Sequence, residues 1–267
     1  LITGAAGVLG KEIVKSAVGA GLEVRQGVRN PAKANPKAEA VQLDCAHPST
    51  ISLAVEAMSA MVLMAPPLEA NAPALLGPVI TAATAAGVQH VVLISAFGVN
   101  HQEQAPMRIV EHLVIDAGVS YTILRPNFFM ENFSEGFLAS TIREQNAIYL
   151  AAGDGKTSFI SLEDIAAAVW AALQQRFAAI GLTGPAALDH SEVAKIISEV
   201  SGRTVEFLTE QQMLAGARSQ GMPEPIVAYL GCSTSSCVLG TPRGISGDFE
   251  TITGTKPITF EAFARSA

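Results

Sequence analysis

The segment Thr3-Gly4-Ala5-Ala6-Gly7-Val8-Leu9-Gly10 spaces three glycines three residues apart, where a short apolar run gives way to a helical pattern. Glycine at the first place permits a tight turn, at the second a close approach of backbone to a pyrophosphate, and at the third close packing of helix on strand. Amides exposed at the helix N-terminus then face the phosphate oxygens. The spacing predicts a dinucleotide site in which Thr3, Gly4, Ala6, Gly7, Val8, Leu9 and Gly10 contact the cofactor. The competing reading, a strand-to-helix turn that uses glycine for geometry alone, fits less well with the strand–helix–strand pattern on both sides. The second apolar run ends Gly27-Val28-Arg29-Asn30, where an NAD-binding chain places Asp or Glu against the ribose 2′-hydroxyl. A guanidinium there holds a 2′-phosphate that a carboxylate would repel, so Arg29 favours NADP(H). Asp44 ends the third run and is expected to accept from the adenine amine, with Cys45 contributing backbone, unless it serves only as a turn residue. Ala65, Pro66 and Pro67 follow the fourth run on the same edge and are expected to line the ribose and diphosphate.

These residues need elements that bring them to one edge. Apolar, β-branched runs at residues 1–3, 22–28, 40–43, 61–65, 90–95 and 120–124 alternate with helical windows at 7–20, 48–57, 71–86 and 103–117. The alternation predicts an α/β fold, a Rossmann-type doubly wound parallel sheet with helices on both faces. In the last window Ile109, Leu113 and Ala117, with Val110 and Val114 beside them, form a stripe expected to face the sheet while the charged residues point elsewhere. After Pro126 the texture changes. Residues 127–144 read as helical and aromatic, 151–157 as a loop, Ser161-Leu162-Glu163-Asp164 as a capped helix start, 191–201 as a helix, 205–208 as a strand and 231–255 as a loop. An NADP(H)-binding domain over residues 1–127 and a smaller, mostly helical substrate-binding part over 128–267 are expected, with a segment near 180–184 returning to the sheet.

Composition removes several functions. The 267 residues carry a net charge of −7, without the Lys/Arg excess that neutralises phosphates, so nucleic-acid binding is not expected. Mean hydropathy is +0.35, yet polar residues interrupt every apolar run well short of the roughly 20 residues a spanning helix needs, so no membrane span is expected. Cys45, Cys232 and Cys237 lack the spacing of a zinc site, which points to buried thiols in a reducing cytoplasm and no bound metal. The chain opens on Leu1 without an initiator Met or a signal-like start, and a few residues are expected to precede it. A monomer and a homodimer are both compatible with the sequence.

The glycine turn, Arg29, the Asp44 segment, Val88-Gln89-His90-Val91-Val92-Leu93-Ile94-Ser95 and Tyr121-Thr122-Ile123-Leu124-Arg125-Pro126-Asn127-Phe128-Phe129-Met130-Glu131-Asn132 together resemble atypical short-chain dehydrogenase/reductases. The nearest subgroup is the NmrA-like set that includes triphenylmethane reductase and NADPH-dependent quinone reductases. The likeness continues through Ser161-Leu162-Glu163-Asp164-Ile165-Ala166, residues 191–203 and residues 253–264, and is least at 231–247. It implies hydride transfer from NADP(H). Ser95 stands where the superfamily has its hydrogen-bonding serine, which makes it the catalytic candidate and a cofactor contact, orienting the acceptor or the carboxamide. Asn127 falls at the nicotinamide. Phe128, Phe129, Met130 and Phe133, with Phe97 and Met107, fall along a substrate wall, where aromatic and Met side chains pack against a flat conjugated acceptor. The other reading of these aromatics is the core of a helix start.

One departure selects the chemistry. Typical members protonate a carbonyl oxygen with a Tyr that has a Lys four residues later, and none of Tyr121, Tyr149 and Tyr229 has one. Tyr121 has Arg125 at that spacing, but in a strand rather than on one helix face. The helix in question holds Met107, where subgroup members often have His, then Arg108 and Glu111, the last expected to pair with Arg108 or face solvent. Hydride transfer without a dedicated acid suits an acceptor whose product anion is already stabilised, such as a quinone, an iminium or an extended cation. The expectation is an NADPH-dependent reductase of a quinone-like or conjugated small molecule. The alternatives are an NmrA-like NADP(H) sensor without turnover and a natural-product tailoring enzyme on the same fold.

Overall fold

Leu1, Ile2 and Thr3 are too few for a long strand, yet they run through the middle of a parallel sheet. In the computed structural model, which describes residues 1–150, 152–219, 224 and 244–267, the Ile2 amide donates to Arg25 at 2.9 Å and the Gly27 amide to Ile2 at 2.8 Å. On the other side Val62 donates to Leu1 at 2.8 Å and Thr3 to Val62 at 3.0 Å. The first segment thereby joins β1 (Arg25–Val28), itself paired with β2 (Glu39–Gln42), to β3 (Ala60–Met64). β3 pairs with β4 (His90–Ile94) and β4 with β5 (Ser120–Pro126), all parallel. Setting aside β6 (Ala147–Tyr149), the last strand of this sheet is β7 (Ala179–Leu182), parallel to β5. The order β2-β1-first segment-β3-β4-β5-β7 is doubly wound, with the strand order reversing beside the first segment.

Helices cover both faces. α1 (Val8–Gly19) packs beside a helix over Leu162–Gln174, and Trp170 Nε1 donates to Ser16 Oγ at 3.1 Å between them. On the other face α2 (Ile51–Val55), α3 (Ala72–Ala85) and α4 (Pro106–Asp116) bury Ile51, Leu76, Val79, Val110 and Val114 against Met61, Leu63, Val91, Leu93 and Ile123. Burial on both faces explains why the strands read as continuous apolar runs. In α4, however, the buried stripe is Val110, Glu111 and Val114, whereas Ile109 and Leu113 are each 37% exposed. Of the expected stripe, Val110 and Val114 are thus buried and Ile109 and Leu113 are not, and a carboxylate enters the interior beside the two valines.

The chain forms two compact units. The first comprises Leu1–Pro126, Leu162–Leu182 and Gly247–Thr255; the second comprises Asn127–Ser161, Thr183–Ser246 and Lys256–Ala267. This interleaving replaces the expected single cut after residue 127, because the ladder groups of β5 are satisfied by β7, far along the chain. In the second unit the expected helix over 127–144 is a single 3-10 turn, Met130–Asn132, followed by α5 (Ala139–Gln145), because Phe129 is extended and bridges to Ile160. β6 pairs with β8 (Glu206–Leu208). Numbering the Leu162–Gln174 helix α6, α7 (His190–Ser201) starts on a capping box in which Asp189 accepts from the Ser191 and Glu192 amides. α8 (Glu210–Ser219) follows, and α10 (Phe260–Ser266) closes the unit. In the expected loop over 231–255, residues 231–243, with Cys232 and Cys237, lie outside the described residues; so do Ala151 and Tyr229. The remainder holds α9 (Asp248–Thr253), which belongs to the first unit. No helix among the described residues is long and apolar enough to cross a membrane.

Candidate functional site

The glycine turn is shaped by its own backbone. Gly4 has φ +60°, the Gly7 amide donates to the Gly4 carbonyl at 2.9 Å, and the first helical bond of α1 runs from Lys11 to Gly7 at 2.9 Å. The amides of Val8, Leu9 and Gly10 therefore precede the helical ladder. No side chain caps this end and its first turn holds no acidic residue. Gly4, Gly7 and Val8 are exposed and Ala6 half-buried, whereas Leu9 is a core side chain whose backbone alone is available to a ligand. Thr3 is also buried; its hydroxyl accepts from the Met64 amide at 2.8 Å and so ties the turn to β3.

The neighbouring strand ends carry the remaining residues of this edge. Arg29 is exposed directly after β1. Asp44 accepts from the Ala46 amide at 3.1 Å and contacts His47 Nδ1 at 3.0 Å. The Ala46 amide, then His47 and Arg29, hold its carboxyl below the usual range against a smaller effect of desolvation. Both carboxylate oxygens thus serve the turn, which leaves only their remaining lone pairs for a ligand. Cys45 is half-buried against the core, and burial, with Asp44 beside it, pushes its thiol up. Ala65 is half-buried at the end of β3, and Pro66 and Pro67 are exposed beyond it.

At the end of β4 the Ser95 amide donates to Leu124 at 2.8 Å, and its side chain is buried. Ser95 Oγ lies 2.6 Å from Glu111 Oε1. Arg125 Nε reaches the same oxygen at 2.8 Å, Arg125 Nη2 reaches Oε2 at 2.8 Å, and Arg108 Nη1 reaches Oε2 at 2.9 Å. Glu111 therefore neither faces solvent nor pairs with Arg108 alone: its side chain is 0% exposed and accepts two bonds on each oxygen. Burial would raise this carboxyl, but the bonds from Arg125, Ser95 and Arg108 outweigh it and hold it below the usual carboxylate range. Sequence reasoning missed Glu111 and Arg125 as parts of the site. Val110, Glu111 and Val114 lie on one buried face of α4, but Ile109 and Leu113 give an equally apolar spacing, so the helical pattern alone did not single Glu111 out. Met107 is half-buried against the core, and Phe97, also half-buried, donates its amide to Pro126 at 3.0 Å.

In the second unit, Asn127 is buried, donating from Nδ2 to Ser158 Oγ at 2.9 Å and accepting from the Phe128 amide at 2.9 Å. Phe128 is half-buried, its ring centroid 5.6 Å from Phe159 and 5.9 Å from Phe133. Phe129 is half-buried, whereas Met130 and Phe133 are core residues. Met130 also lines a cavity of about 150 Å³ with Phe159, Leu188, Ile196 and Phe260. His190 is 1% exposed within the aromatic cluster, and both its ring nitrogens lack a hydrogen-bond partner among the described residues.

Residues 4–176 match the NAD(P)H-binding family. The chain belongs to that family. It is 37% identical to an agroclavine dehydrogenase of Claviceps fusiformis, over 78% of this chain and 74% of the relative. It is 31% identical to an NAD(P)H azoreductase of Xenophilus azovorans, over the whole chain and 96% of the relative. An Escherichia coli NADPH-dependent quinone oxidoreductase complexed with NADPH has a TM-score of 0.80 at 25% identity, covering 99% of this chain and 98% of that one. The Rossmann-type sheet stands, and in fold the chain is similar to a Citrobacter triphenylmethane reductase and to an NmrA variant. A Cβ on Gly10 would intrude on the Gly4 carbonyl and stand 2.7 Å from the Ala5 Cα. Only glycine lets α1 approach the first segment this closely and leave its N-terminal amides at the surface.

Proposed function

We propose that this NAD(P)H-binding protein is an NADPH-dependent oxidoreductase that reduces quinone-like or otherwise conjugated small molecules. The observation that carries this reading is the Ser95–Glu111 bond. A serine hydroxyl has one proton, and at 2.6 Å from an ionised carboxylate that proton lies on the Glu111 bond. Ser95 therefore has no proton to give an acceptor, and Glu111, held ionised by two guanidiniums, has none to relay. When bound, the reduced nicotinamide supplies a hydride. An acceptor that becomes a delocalised anion, or a cation that becomes neutral, needs no acid at that moment and can take any proton from water afterwards; an unactivated ketone cannot. Relatives named as an NAD(P)H azoreductase and an NADPH-dependent quinone oxidoreductase are in keeping with this acceptor class.

In this reading Thr3, Gly4, Ala6, Gly7, Val8, Leu9 and Gly10 hold the diphosphate, mainly through backbone amides, and Arg29 holds the 2′-phosphate. Asp44, Cys45, Ala65, Pro66 and Pro67 border the adenosine half, and Ser95 and Asn127 the nicotinamide. Phe97, Met107, Phe128, Phe129, Met130 and Phe133 belong to the acceptor side. The protein works on a small molecule in the cytoplasm, as monomer or homodimer, rather than on nucleic acid or at a membrane; the −7 charge supports this. The test is loss of NADPH absorbance with quinones, azo dyes, iminium compounds and simple ketones, compared with NADH. Turnover confined to the conjugated acceptors is expected. Equal rates on a simple ketone would overturn the proposal, and NADPH binding without turnover on any acceptor would favour a sensor.

A further inference from the structure

We infer that Glu111 is a positioning residue that makes Ser95 a fixed hydrogen-bond acceptor for the carboxamide N–H of the bound nicotinamide. This deepens the cofactor reading above and rests on it. Glu111 Oε1 accepts from Ser95 Oγ and Arg125 Nε, and Oε2 from Arg125 Nη2 and Arg108 Nη1, so each oxygen has two donors and about four lone-pair sites are used. Arg125 binds through two parallel bonds, a geometry that fixes the carboxylate plane. The carboxylate is stationary, fully buried and unable to release the serine proton to another partner.

The consequence falls on the serine oxygen. Its proton is committed, and its backbone is fixed by the 2.8 Å bond to Leu124 at the end of β4, so what Ser95 offers a ligand is lone pairs. A lone pair accepts from the N–H of a carboxamide and gains nothing from a ring acetyl group, which has no N–H. Neither Arg108 nor Arg125 needs to touch the ligand for this selection. Their part is to keep Glu111 charged and in place, and so to keep the hydroxyl turned one way.

The test reads binding, not turnover. Affinity for NADP+ and for its 3-acetylpyridine analogue is measured by fluorescence titration on the full chain. The wild type is expected to bind NADP+ more tightly by roughly fivefold, the worth of one hydrogen bond. Ser95→Ala should bring that ratio close to one. Glu111→Asp keeps the charge for both arginines but withdraws the carboxylate from Ser95, frees the hydroxyl to donate to the acetyl oxygen, and should also lower the ratio. In the double variant the Glu111→Asp effect should vanish, which a purely structural role would not produce. A ratio unchanged in Ser95→Ala overturns the inference even where Glu111→Asp fails to fold, and so does an effect of Glu111→Asp that persists without the serine oxygen. No binding of NADP+ or NADPH by the wild type would overturn the underlying cofactor reading, a result distinct from a lost ratio.

Discussion

The ring of Phe97 packs against Gly181, so close that a Cβ at that position would stand 2.8 Å from Phe97 Cε2. The glycine in β7 is therefore a seat for the ring rather than a turn residue. Gly181→Ala is expected to push the ring aside at a cost of about 1–3 kcal/mol, and to raise the KM for the acceptor more than the Kd for NADPH. Thermal unfolding together with steady-state kinetics checks this, and an unchanged acceptor KM would separate Phe97 from the acceptor.

Gly10 permits no comparable adjustment, because the atoms in its way are the backbone of Gly4 and Ala5. Gly10→Ala should lower the melting temperature and abolish NADPH binding together, since helix α1 must move for the methyl group to fit. A variant that melts normally and binds NADPH would refute the cradle.

Arg29 is exposed, so its removal should leave stability within about 0.5 kcal/mol. The expected loss is in cofactor choice: Arg29→Ala should weaken NADPH by about tenfold or more, the worth of charge-assisted bonds, and leave NADH nearly unchanged. Titration with each cofactor decides it, and equal losses for the two would remove the phosphate role.

Replacing one partner of a buried ion cluster leaves the others uncompensated. Glu111→Gln is expected to destabilise the protein by about 3–5 kcal/mol in urea unfolding. The pH dependence follows from the lowered carboxyl. Above its ordinary value near 4.5 the folded and unfolded groups are both ionised and the contribution is complete; it is lost as pH falls through the folded value. The wild type should therefore lose its advantage over the variant only at acid pH.

His190 gives the opposite group chemistry with a similar outcome. Burial among Phe128, Phe133, Phe159 and Phe207 pushes its imidazole down to about 4, with Asp189 opposing. The unfolded chain binds a proton near pH 6.5 and the folded one does not, so stability falls as pH drops from 6.5 to 4, by roughly 3 kcal/mol across the window. His190→Phe should flatten this part of the profile in pH-resolved unfolding; an unchanged slope would show that the imidazole does not carry it.

The sheet was legible because its strands are short apolar runs separated by helical windows, and the turn because three glycines sit at one junction. Glu111 was not, for a specific reason. Ile109 and Leu113, or Val110 and Val114, give equally apolar stripes on α4, and the choice between them is made by Ser95 and Arg125, which come from strands. A helical pattern carries no record of partners on other elements. The aromatic stretch after Pro126 misled for a related reason: the Phe128 carbonyl and the Met130 amide both bond to Ile160, so residues of helical composition stay extended around Phe129. β6 is three residues long and leaves no period to detect.

The chain passes between the two compact units after residues 126, 161, 182, 246 and 255. Neither unit corresponds to one uninterrupted stretch of coding sequence, so a single recombination event cannot trade one of them for a counterpart from another gene. New specificities in such a lineage must accumulate in place, by substitution and by changes in loop length. The two units are inherited together and diverge together.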